Sequence, residues 1–537
     1  MMRHLRQRYT RLYRLVQRKL RNGDYQRLSA RRQRRLWCRL TRYEHRLRRA
    51  GIAIAATAAL MAGSVELTAQ AAPLSDEAQV NTYTTSDQNA PDIAMDADGD
   101  YVVVWWSRTQ DGDGGGIYGQ RYSNAGAATG SEFLVNTTTT GYQINPSVAM
   151  ASDGDFVVVW QSNNQDGSNY GIYAQRYNSS GVSLGDELLV NTYTTNSQSQ
   201  PAVAMDDDGN FVVVWQSTNQ DGDGDGIFAR VFNSDGTAVD DNFAVNAYTT
   251  NAQRNAAVAM DADGDFVVAW QSQGQDGSGL GIYAQRFDNM GAAVGSELLV
   301  NSFTSLNQSF PSVAMDDAGN FVVAWQSADQ DGNNNGVYAQ RYSSDGNAMG
   351  GELAVNTYTT AGQFPASVAM DADGDFVIAW GSYGQDGNGT GVFVRQYDAQ
   401  GNALSNEFQV NETTTDDQST PVIAMDADGN FGVAWQSYGQ DGSYYGIYAR
   451  RYSSEPVSVL PISQTDIEAY PNPVTSILTL KNLSPSSTVR LYDLAGKEVT
   501  VAAIGHGQVD VTGLLSGVYL LEITDAGRTV VAKVVKH

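Results

Sequence analysis

Three short segments of this sequence place aspartates at alternate positions around a glycine, a pattern that can bind a cation. Carboxylates spaced in this way resemble the oxygen-rich loops that bind calcium, and calcium is the only cofactor that the sequence suggests. The aspartates of the three complete segments are Asp96, Asp98, Asp100, Asp261, Asp263, Asp265, Asp371, Asp373 and Asp375.

The same segments also fit a simpler interpretation, a hairpin turn. A type I turn followed by a glycine with positive φ joins two strands, and aspartate suits its first positions. Seven such turns occur at constant spacing, and their glycine never changes, whereas Ala151 and Ala318 replace aspartates. Because the turns need the glycine more than the carboxylates, this comparison favours the hairpin over the calcium site.

A second set of polar residues recurs with the same spacing. The tripeptide Gln110-Asp111-Gly112 returns as far as Gln440-Asp441-Gly442, and a further glutamine recurs from Gln88 to Gln418. Residues that are identical in every unit of a repeat protein usually hold the units together. We therefore expect these side chains to satisfy backbone groups in the loops.

The residues beside these repeated glutamines vary, and many of them are aromatic. Aromatic rings and planar amides suit sugar rings, and they equally suit a protein partner. We therefore predict a surface that binds a glycan or a surface protein, formed by Tyr142, Tyr170, Arg254, Phe310, Phe364, Tyr383, Tyr438, Tyr444 and Tyr445. The competing interpretation is that scattered surface tyrosines have no function.

The sequence assigns no catalytic residue. Its histidines and its single cysteine, which are His4, His45, His506, His537 and Cys38, all lie outside the repeats. This excludes Ser-His triads, His-based zinc sites and disulfides from the repeats. The residues that break the repeat define no pair of carboxylates at glycosidase spacing; they are Trp106, Arg108, Arg230, Arg254, Arg395 and Glu412.

Charge is distributed very unevenly along the 537 residues. Residues 1–71 contain 18 Lys and Arg but only 3 Asp and Glu. The rest of the chain therefore contains 16 basic residues (34 less 18) and 56 acidic residues (59 less 3), which gives it a net charge of −40. A surface this acidic repels phosphate backbones, so nucleic acid is not an expected partner.

The elements that must position these residues follow from one repeat of 55 residues, written seven times without insertion. The tryptophans from Trp105 to Trp435 mark the period. Each unit contains four short apolar segments separated by polar turns, which predicts a four-stranded antiparallel sheet with no helix. Sheets that are apolar on both faces, repeated seven times, predict a seven-bladed β-propeller.

The two ends of the repeat array predict how the ring closes. The last unit stops after its third strand, and an additional copy of the fourth strand, Ala78-Gln79-Val80-Asn81, precedes the first unit. Pairing the first strand with the last unit would complete the seventh blade and remove the open edges. A row of separate sandwich domains is the alternative architecture, although units of this size would bury little surface alone.

The first 71 residues predict an extended leader. Basic segments with periodic apolar residues indicate helices, and an apolar run with a small-residue cleavage motif, Ala69-Gln70-Ala71, indicates a secretory signal peptide. The apolar run is short for a membrane span, so we expect no transmembrane helix in the mature protein. The predicted domains are the leader (1–71), the propeller (76–455), a linker (456–465) and a C-terminal β-sandwich (466–537).

The C-terminal residues resemble the type A sorting domain of the type IX secretion system of Bacteroidota. The matching motifs include a Tyr-Pro-Asn-Pro segment, glycine turns and a closing lysine pair; their residues are Tyr470, Pro471, Asn472, Pro473, Gly496, Gly517, Tyr519, Lys533 and Lys536. The resemblance implies export across the inner membrane, contact with the type IX machinery, and release or attachment at the cell surface.

From these observations we predict a secreted or surface-displayed propeller that binds or adheres to a glycan or matrix ligand without catalysis. A polysaccharide-active enzyme, a hydrolase or lyase with carboxylates in a central channel, is one alternative. A structural component of a surface layer is another. The fold does not decide among them.

Overall fold

Each repeat folds into an antiparallel sheet because its turns reverse the chain at fixed positions. In the first turn the N–H of Asp96 donates to the carbonyl of Asp100 at 2.9 Å, and Gly99 adopts a φ of 85°, which favours glycine. The strands on either side of the turn are apolar on both faces, as expected for a sheet that lies between two others. The repeated glycine is therefore required by the backbone of the turn.

The computed structural model describes residues 71–456, 468–470, 476–481, 488–492, 498–499, 502–505, 508–514, 517–525 and 528–536. Its residues divide after Ser454 into two compact units. Of the predicted helical leader only Ala71 is described, and most of the predicted linker also lies outside the described residues.

In the first unit, each blade consists of an inner, a second, a third and an outer strand. The inner strands of blades 1 to 7 are β3 (Gln88–Met95), β7 (Gln143–Met150), β11 (Gln198–Met205), β15 (Gln253–Met260), β19 (Gln308–Met315), β23 (Ser367–Met370) and β27 (Gln418–Met425). The second strands are β4 (Tyr101–Arg108), β8 (Phe156–Asn163), β12 (Phe211–Thr218), β16 (Phe266–Gln273), β20 (Phe321–Ala328), β24 (Phe376–Tyr383) and β28 (Phe431–Tyr438).

The third and outer strands follow in the same order. The third strands are β5 (Gly115–Tyr122), β9 (Tyr170–Tyr177), β13 (Asp225–Phe232), β17 (Leu280–Phe287), β21 (Asn335–Tyr342), β25 (Thr390–Tyr397) and β29 (Tyr445–Pro456). The outer strands of blades 1 to 6 are β6 (Phe133–Leu134), β10 (Leu188–Leu189), β14 (Phe243–Ala244), β18 (Ala293–Leu299), β22 (Leu353–Ala354) and β26 (Phe408–Gln409). Each inner strand contacts the inner strands of both neighbouring blades, so the seven blades form a closed ring.

The seventh blade is completed by the beginning of the propeller, as the sequence predicts. Strand β2 (Ala78–Gln79) pairs with β29, with Ala78 opposite Ala449, and the N–H of Val80 donates to the carbonyl of Ile447 at 2.7 Å. A second strand, β1 (Ala71–Pro73), also joins β29, and the sequence analysis missed it. Ala71, predicted as the last residue of the leader, is thus the first residue of a strand.

The apolar core lies between the blades. Between blades 1 and 2, for example, Val102 and Val104 pack against Val158 and Trp160, and all four are fully buried. The seven tryptophans of the repeat occupy the equivalent position at every junction and are fully buried. Because neither face of a sheet is exposed, one repeat alone could not bury its apolar side chains.

The second unit contains two four-stranded antiparallel sheets. One consists of β30 (Glu468–Tyr470), β31 (Ile477–Lys481), β34 (Ala502–Gly505) and β35 (Gln508–Asp510), and the other of β32 (Thr488–Tyr492), β33 (Glu498–Val499), β36 (Gly517–Asp525) and β37 (Arg528–Lys536). Its buried core combines Leu478 and Val509 of the first sheet with Leu491 and Leu521 of the second. The two sheets therefore share one core, as in a β-sandwich.

Candidate ligand-binding site

Antiparallel strand order places two kinds of loop on the same face of the propeller. We call this the linker face; it carries the loops between second and third strands and the linkers that lead to the next blade. The aspartate turns lie on the opposite face, which we call the turn face. All nine residues predicted to bind a ligand lie at strand ends or in loops of the linker face.

The repeated glutamines of the linkers have structural roles. Gln88 is fully buried, and its side-chain oxygen accepts a hydrogen bond from Asn81 Nδ2 at 3.3 Å. The oxygen of Asn81 accepts in turn from the N–H of Ile447 at 2.7 Å. Equivalent Asn–Gln pairs occur along the ring, for example Asn246 with Gln253. These pairs satisfy backbone groups where the chain passes from one blade to the next.

Another repeated contact, which we call the interblade clasp, joins the second strand of one blade to the inner strand of the next. The side-chain oxygen of a glutamine accepts a hydrogen bond from a backbone N–H at a residue with φ between 50° and 53°. The four clasps are Gln161 with Gln200 N at 2.8 Å, Gln216 with Asn255 N at 3.4 Å, Gln271 with Phe310 N at 3.1 Å, and Gln436 with Ala90 N at 3.1 Å.

Three junctions lack the clasp, each for a different chemical reason. Between blades 1 and 2 the glutamine is replaced by Trp106. Between blades 5 and 6 the donor position is Pro365, which has no N–H, and the side-chain oxygen of Gln326 is buried without a hydrogen-bond partner among the described residues. Between blades 6 and 7 the glutamine is replaced by Gly381. The seven-fold symmetry of the linker face is broken at these places.

The junction of blades 1 and 2 contains a cleft of about 340 Å³. Its lining combines aromatic, aliphatic and amide side chains and contains no charged residue; the residues are Asn89, Ala90, Trp106, Tyr142, Ile144, Asn145 and Tyr170. Two of the predicted ligand residues, Tyr142 and Tyr170, are thus brought together, and Tyr142 is 44% exposed. The sequence analysis marked Trp106 only as a break in the repeat, and missed the other four.

The indole of Trp106 is held in place by a second departure from the repeat. It packs against Gly115, where a Cβ atom would lie 2.1 Å from the indole nitrogen. At the equivalent position every other blade has a larger residue: Tyr170, Asp225, Leu280, Asn335, Thr390 or Tyr445. Trp106 and Gly115 are therefore one combined substitution, and it fixes the ring in the wall of the cleft.

The remaining predicted ligand residues lie elsewhere on the linker face. Tyr438 and Tyr445 of blade 7 form an edge-on ring pair at 5.2 Å, next to the exposed Tyr444. Phe364 and Tyr383 are exposed on blade 6, and Phe310 on blade 5. Arg254 is already paired, since its Nε lies 2.6 Å from the carboxylate of Asp225.

The other charged residues that break the repeat have structural partners. Arg230 and Arg395 each donate to a carbonyl of the preceding blade, Val190 at 3.0 Å and Val355 at 2.8 Å. Glu412 forms an ion pair with Arg450 at 2.7 Å. Arg108 lies 3.5 Å from the carboxylate of Asp87. None of them forms part of the cleft.

The inner strands contain one carboxylate that faces a neighbouring blade. Asp92 accepts hydrogen bonds from the N–H of Val148 at 2.8 Å and of Ile93 at 2.9 Å. Burial raises the pKa of Asp92 to about 6. The equivalent residues of the other blades are Ser147, Ala202, Ala257, Ser312, Ser367 and Val422, none of which is acidic. At the position of Asp92, therefore, the seven described inner strands provide one carboxylate and no carboxylate pair.

On the turn face, the first aspartate of each complete segment works as part of the turn. Asp96 accepts from the N–H groups of Asp98 at 3.0 Å and Asp100 at 2.9 Å. Asp100 accepts from the N–H of Asn124, and in blade 3 the neutral Asn210 accepts the equivalent bond from Ser234. An amide therefore performs the same role as this carboxylate.

Burial and the neighbouring carboxylates raise the pKa of Asp96, Asp261 and Asp371 to about 7. Among the described residues, no group of three or more acidic, His or Cys side chains is arranged to hold a metal ion. Calcium binding by the nine aspartates stays a prediction that the geometry does not support.

Several residues of the predicted sorting motif lie within strands of the second unit. Tyr470 ends β30, Gly517 begins β36, which also contains Tyr519, and Lys533 and Lys536 lie in β37. Tyr519 is buried in the core of the sandwich. Pro471, Asn472, Pro473 and Gly496 lie outside the described residues.

Comparison with known families identifies this unit. Residues 468–537 match the family model of the secretion system C-terminal sorting domain. The chain therefore carries the domain that the sequence predicts, which implies interaction with the type IX machinery and secretion to the cell surface or beyond. Among the described residues there is no helix with the length and apolar character to span a membrane.

The chain is similar to several solved structures. A protein of unknown function from Dyadobacter fermentans has 11% identity and a TM-score of 0.43, covering 72% of this chain and 100% of its own. An α-L-arabinanase of Penicillium chrysogenum has 14% identity and a TM-score of 0.37, covering 67% and 92%. The propeller domain of a Pyrococcus furiosus protease has 8% identity and a TM-score of 0.41, covering 70% and 99%.

These likenesses are too distant to indicate an activity. No curated protein matches the sequence. The chemistry of the linker face therefore has to be inferred from its own residues.

Proposed function

We propose that this protein is exported by type IX secretion and, at the cell surface or outside the cell, binds a glycan through the linker face of its propeller without chemical conversion. The sorting domain supports the export route. The cleft between blades 1 and 2 carries the binding proposal, because the repeated clasp is replaced there by a fixed indole ring beside two tyrosines. Aromatic rings with a few convergent polar groups are typical of small-ligand sites.

The arrangement of carboxylates favours binding over hydrolysis. Glycosidases place two carboxyl groups on opposite sides of the bond that they cleave. The cleft lining contains no acidic residue, and Asp92 is the only acidic residue at its level of the inner strands. The acidic residues of the turn face instead occur at equivalent positions of several blades, where they accept backbone hydrogen bonds.

A glycan array probed with the full chain, with and without calcium, tests this function. We expect binding to a subset of glycans, with no shorter products after prolonged incubation. Release of shorter saccharides would show an enzyme and overturn the noncatalytic proposal. Self-association without binding to any glycan would instead support a surface-layer component.

A further inference from the structure

We propose that the cleft between blades 1 and 2 is the primary saccharide site, and that it selects uncharged sugar rings. This inference rests on the proposed function and adds the location and the class of ligand. The cleft is the place where the interblade clasp is replaced by an aromatic side chain.

The first argument is the combined substitution of Trp106 and Gly115. A tryptophan alone would collide with the larger residues that the other blades have at the position of Gly115, since a Cβ atom there would lie 2.1 Å from its nitrogen. The two changes together fit a large flat ring against the backbone of β5. Replacing a glutamine that joins blades by an indole exchanges a structural hydrogen bond for apolar contact, because Trp106 is partly buried against the core of this junction. The part of the ring that lines the cleft is available to a ligand.

The second argument is the backbone N–H of Asn145, which has no glutamine acceptor at this junction. In the clasped junctions the backbone N–H equivalent to that of Asn145 donates to a glutamine oxygen, for example Gln200 N to Gln161. Trp106 offers no such acceptor, and Asn145 retains its strained backbone, with a φ of 54°. A hydroxyl of a bound sugar can accept this hydrogen bond, and the amide of Asn89 can hold a second hydroxyl.

The third argument is charge. The cleft lining contains no Asp, Glu, Lys or Arg, while residues 72–537 carry a net charge of −40. An anionic saccharide would approach an acidic protein and find no cation in the cleft to neutralise it. An uncharged sugar ring can stack on an aromatic face and avoids this cost.

The test compares the full chain with three variants by calorimetric titration. The neutral probes are cello-, manno- and xylo-oligosaccharides, and the anionic probe is an oligogalacturonate of the same length. Trp106→Gln restores the clasp residue of the other blades, and Gly115→Ala displaces the indole without removing it. Met290→Ala removes an exposed side chain from the turn face of blade 4, away from the linker face, and is the control.

We expect the full chain to bind at least one neutral probe and Trp106→Gln to bind it about tenfold or more weakly, with a melting temperature close to that of the full chain. Gly115→Ala should weaken binding, and Met290→Ala should leave it unchanged. Binding by Trp106→Gln equal to that of the full chain would overturn the location, while the proposed function would stand. Equal or tighter binding of oligogalacturonate would overturn the neutral class. Failure of the full chain to bind any saccharide would overturn the proposed function and the site together.

Discussion

The junction between blades 2 and 3 and the junction between blades 1 and 2 are formed by the same repeat, yet they differ in what holds them together. In the former, Gln161 accepts hydrogen bonds from Gln200 N at 2.8 Å and Asn145 Nδ2 at 3.1 Å. In the latter, Trp106 makes neither bond and lines a cleft. The apolar packing below is similar in both, except that Trp106 also contacts the core of the latter junction.

This difference separates two kinds of residue in the repeat. Those found in every blade hold the ring together, and those that vary on the linker face are available for a ligand. The neighbours Trp105 and Trp106 illustrate both kinds, because the first is fully buried at the junction with blade 7 and the second lies at the cleft.

The largest difference in stability that we predict is between two variants, one that replaces Trp105 and one that replaces Trp106. Trp105→Ala should lower the free energy of unfolding by about 3–5 kcal/mol, because it leaves a cavity in a close-packed core. Trp106→Gln should change it by no more than about 1 kcal/mol, because the restored clasp offsets the lost contacts between the partly buried indole and the core. Urea unfolding followed by circular dichroism measures both. Similar losses for the two variants would show that Trp106 is a core residue.

A smaller effect is expected from breaking a clasp. Gln161→Ala should lower the free energy of unfolding by about 1–2 kcal/mol, since it removes the acceptor of two hydrogen bonds, from Gln200 N and from Asn145 Nδ2. Gln326→Ala is the matched control. Its oxygen already lacks a partner, although its Nε2 donates to Ser309 at 2.8 Å. The same urea titration should therefore show a smaller loss for Gln326→Ala, and equal losses would mean that the clasp contributes nothing.

The aspartates of the turn face should make the stability of the propeller depend on pH. The folded-state pKa of Asp96, Asp261 and Asp371 is about 7, above the ordinary value of 3.8, so the folded chain binds more protons between these values. Stability should therefore fall as the pH rises from 5 to 8, by of the order of 1 kcal/mol per carboxylate.

Melting temperatures of the full chain and of a triple Asp→Asn variant at these positions, measured from pH 5 to 8, test this prediction. The variant should show a flatter profile. Added calcium should have no effect if the carboxylates serve only the turns. A calcium-dependent rise in the melting temperature at pH 8 that the variant loses would instead establish the calcium site.

The smallest effect is expected from repairing the junction between blades 5 and 6. Pro365→Asn provides the N–H that the oxygen of Gln326 lacks, and should raise the free energy of unfolding by about 0.5–1 kcal/mol. Differential scanning calorimetry measures the change, and the double variant with Gln326→Ala is the control. A gain that persists in the double variant would arise from the backbone and not from the clasp.

Most of the fold could be predicted from the sequence because its period is constant. The spacing of the tryptophans gave the number of blades, and the displaced copy of the outer strand at Ala78 gave the closure. Strand β1 was missed because its three residues follow the apolar leader and contain no alternating pattern. The positions of the loops on the two faces followed from the strand order alone.

The site could be predicted only in part. Tyr142 and Tyr170 were predicted as ligand residues from their type, and Trp106 was noticed as a break in the repeat. Their proximity was not predictable, because position 106 belongs to blade 1 and the two tyrosines belong to blade 2. Only the clasp, a contact between second and inner strands of successive blades, shows that these positions meet. One sequence signal was available, since unit one alone combines a tryptophan with Gly115.

The completion of blade 7 by the first strands determines when this protein can finish folding. The bond from Ile447 N to Asn81 joins residues 366 positions apart, so the ring cannot lock until almost the entire propeller has been delivered. Contacts between such distant segments form slowly. A chain that crosses a membrane from its N-terminus must therefore hold its first strands unpaired during transit, and assembly finishes only when the final blade emerges.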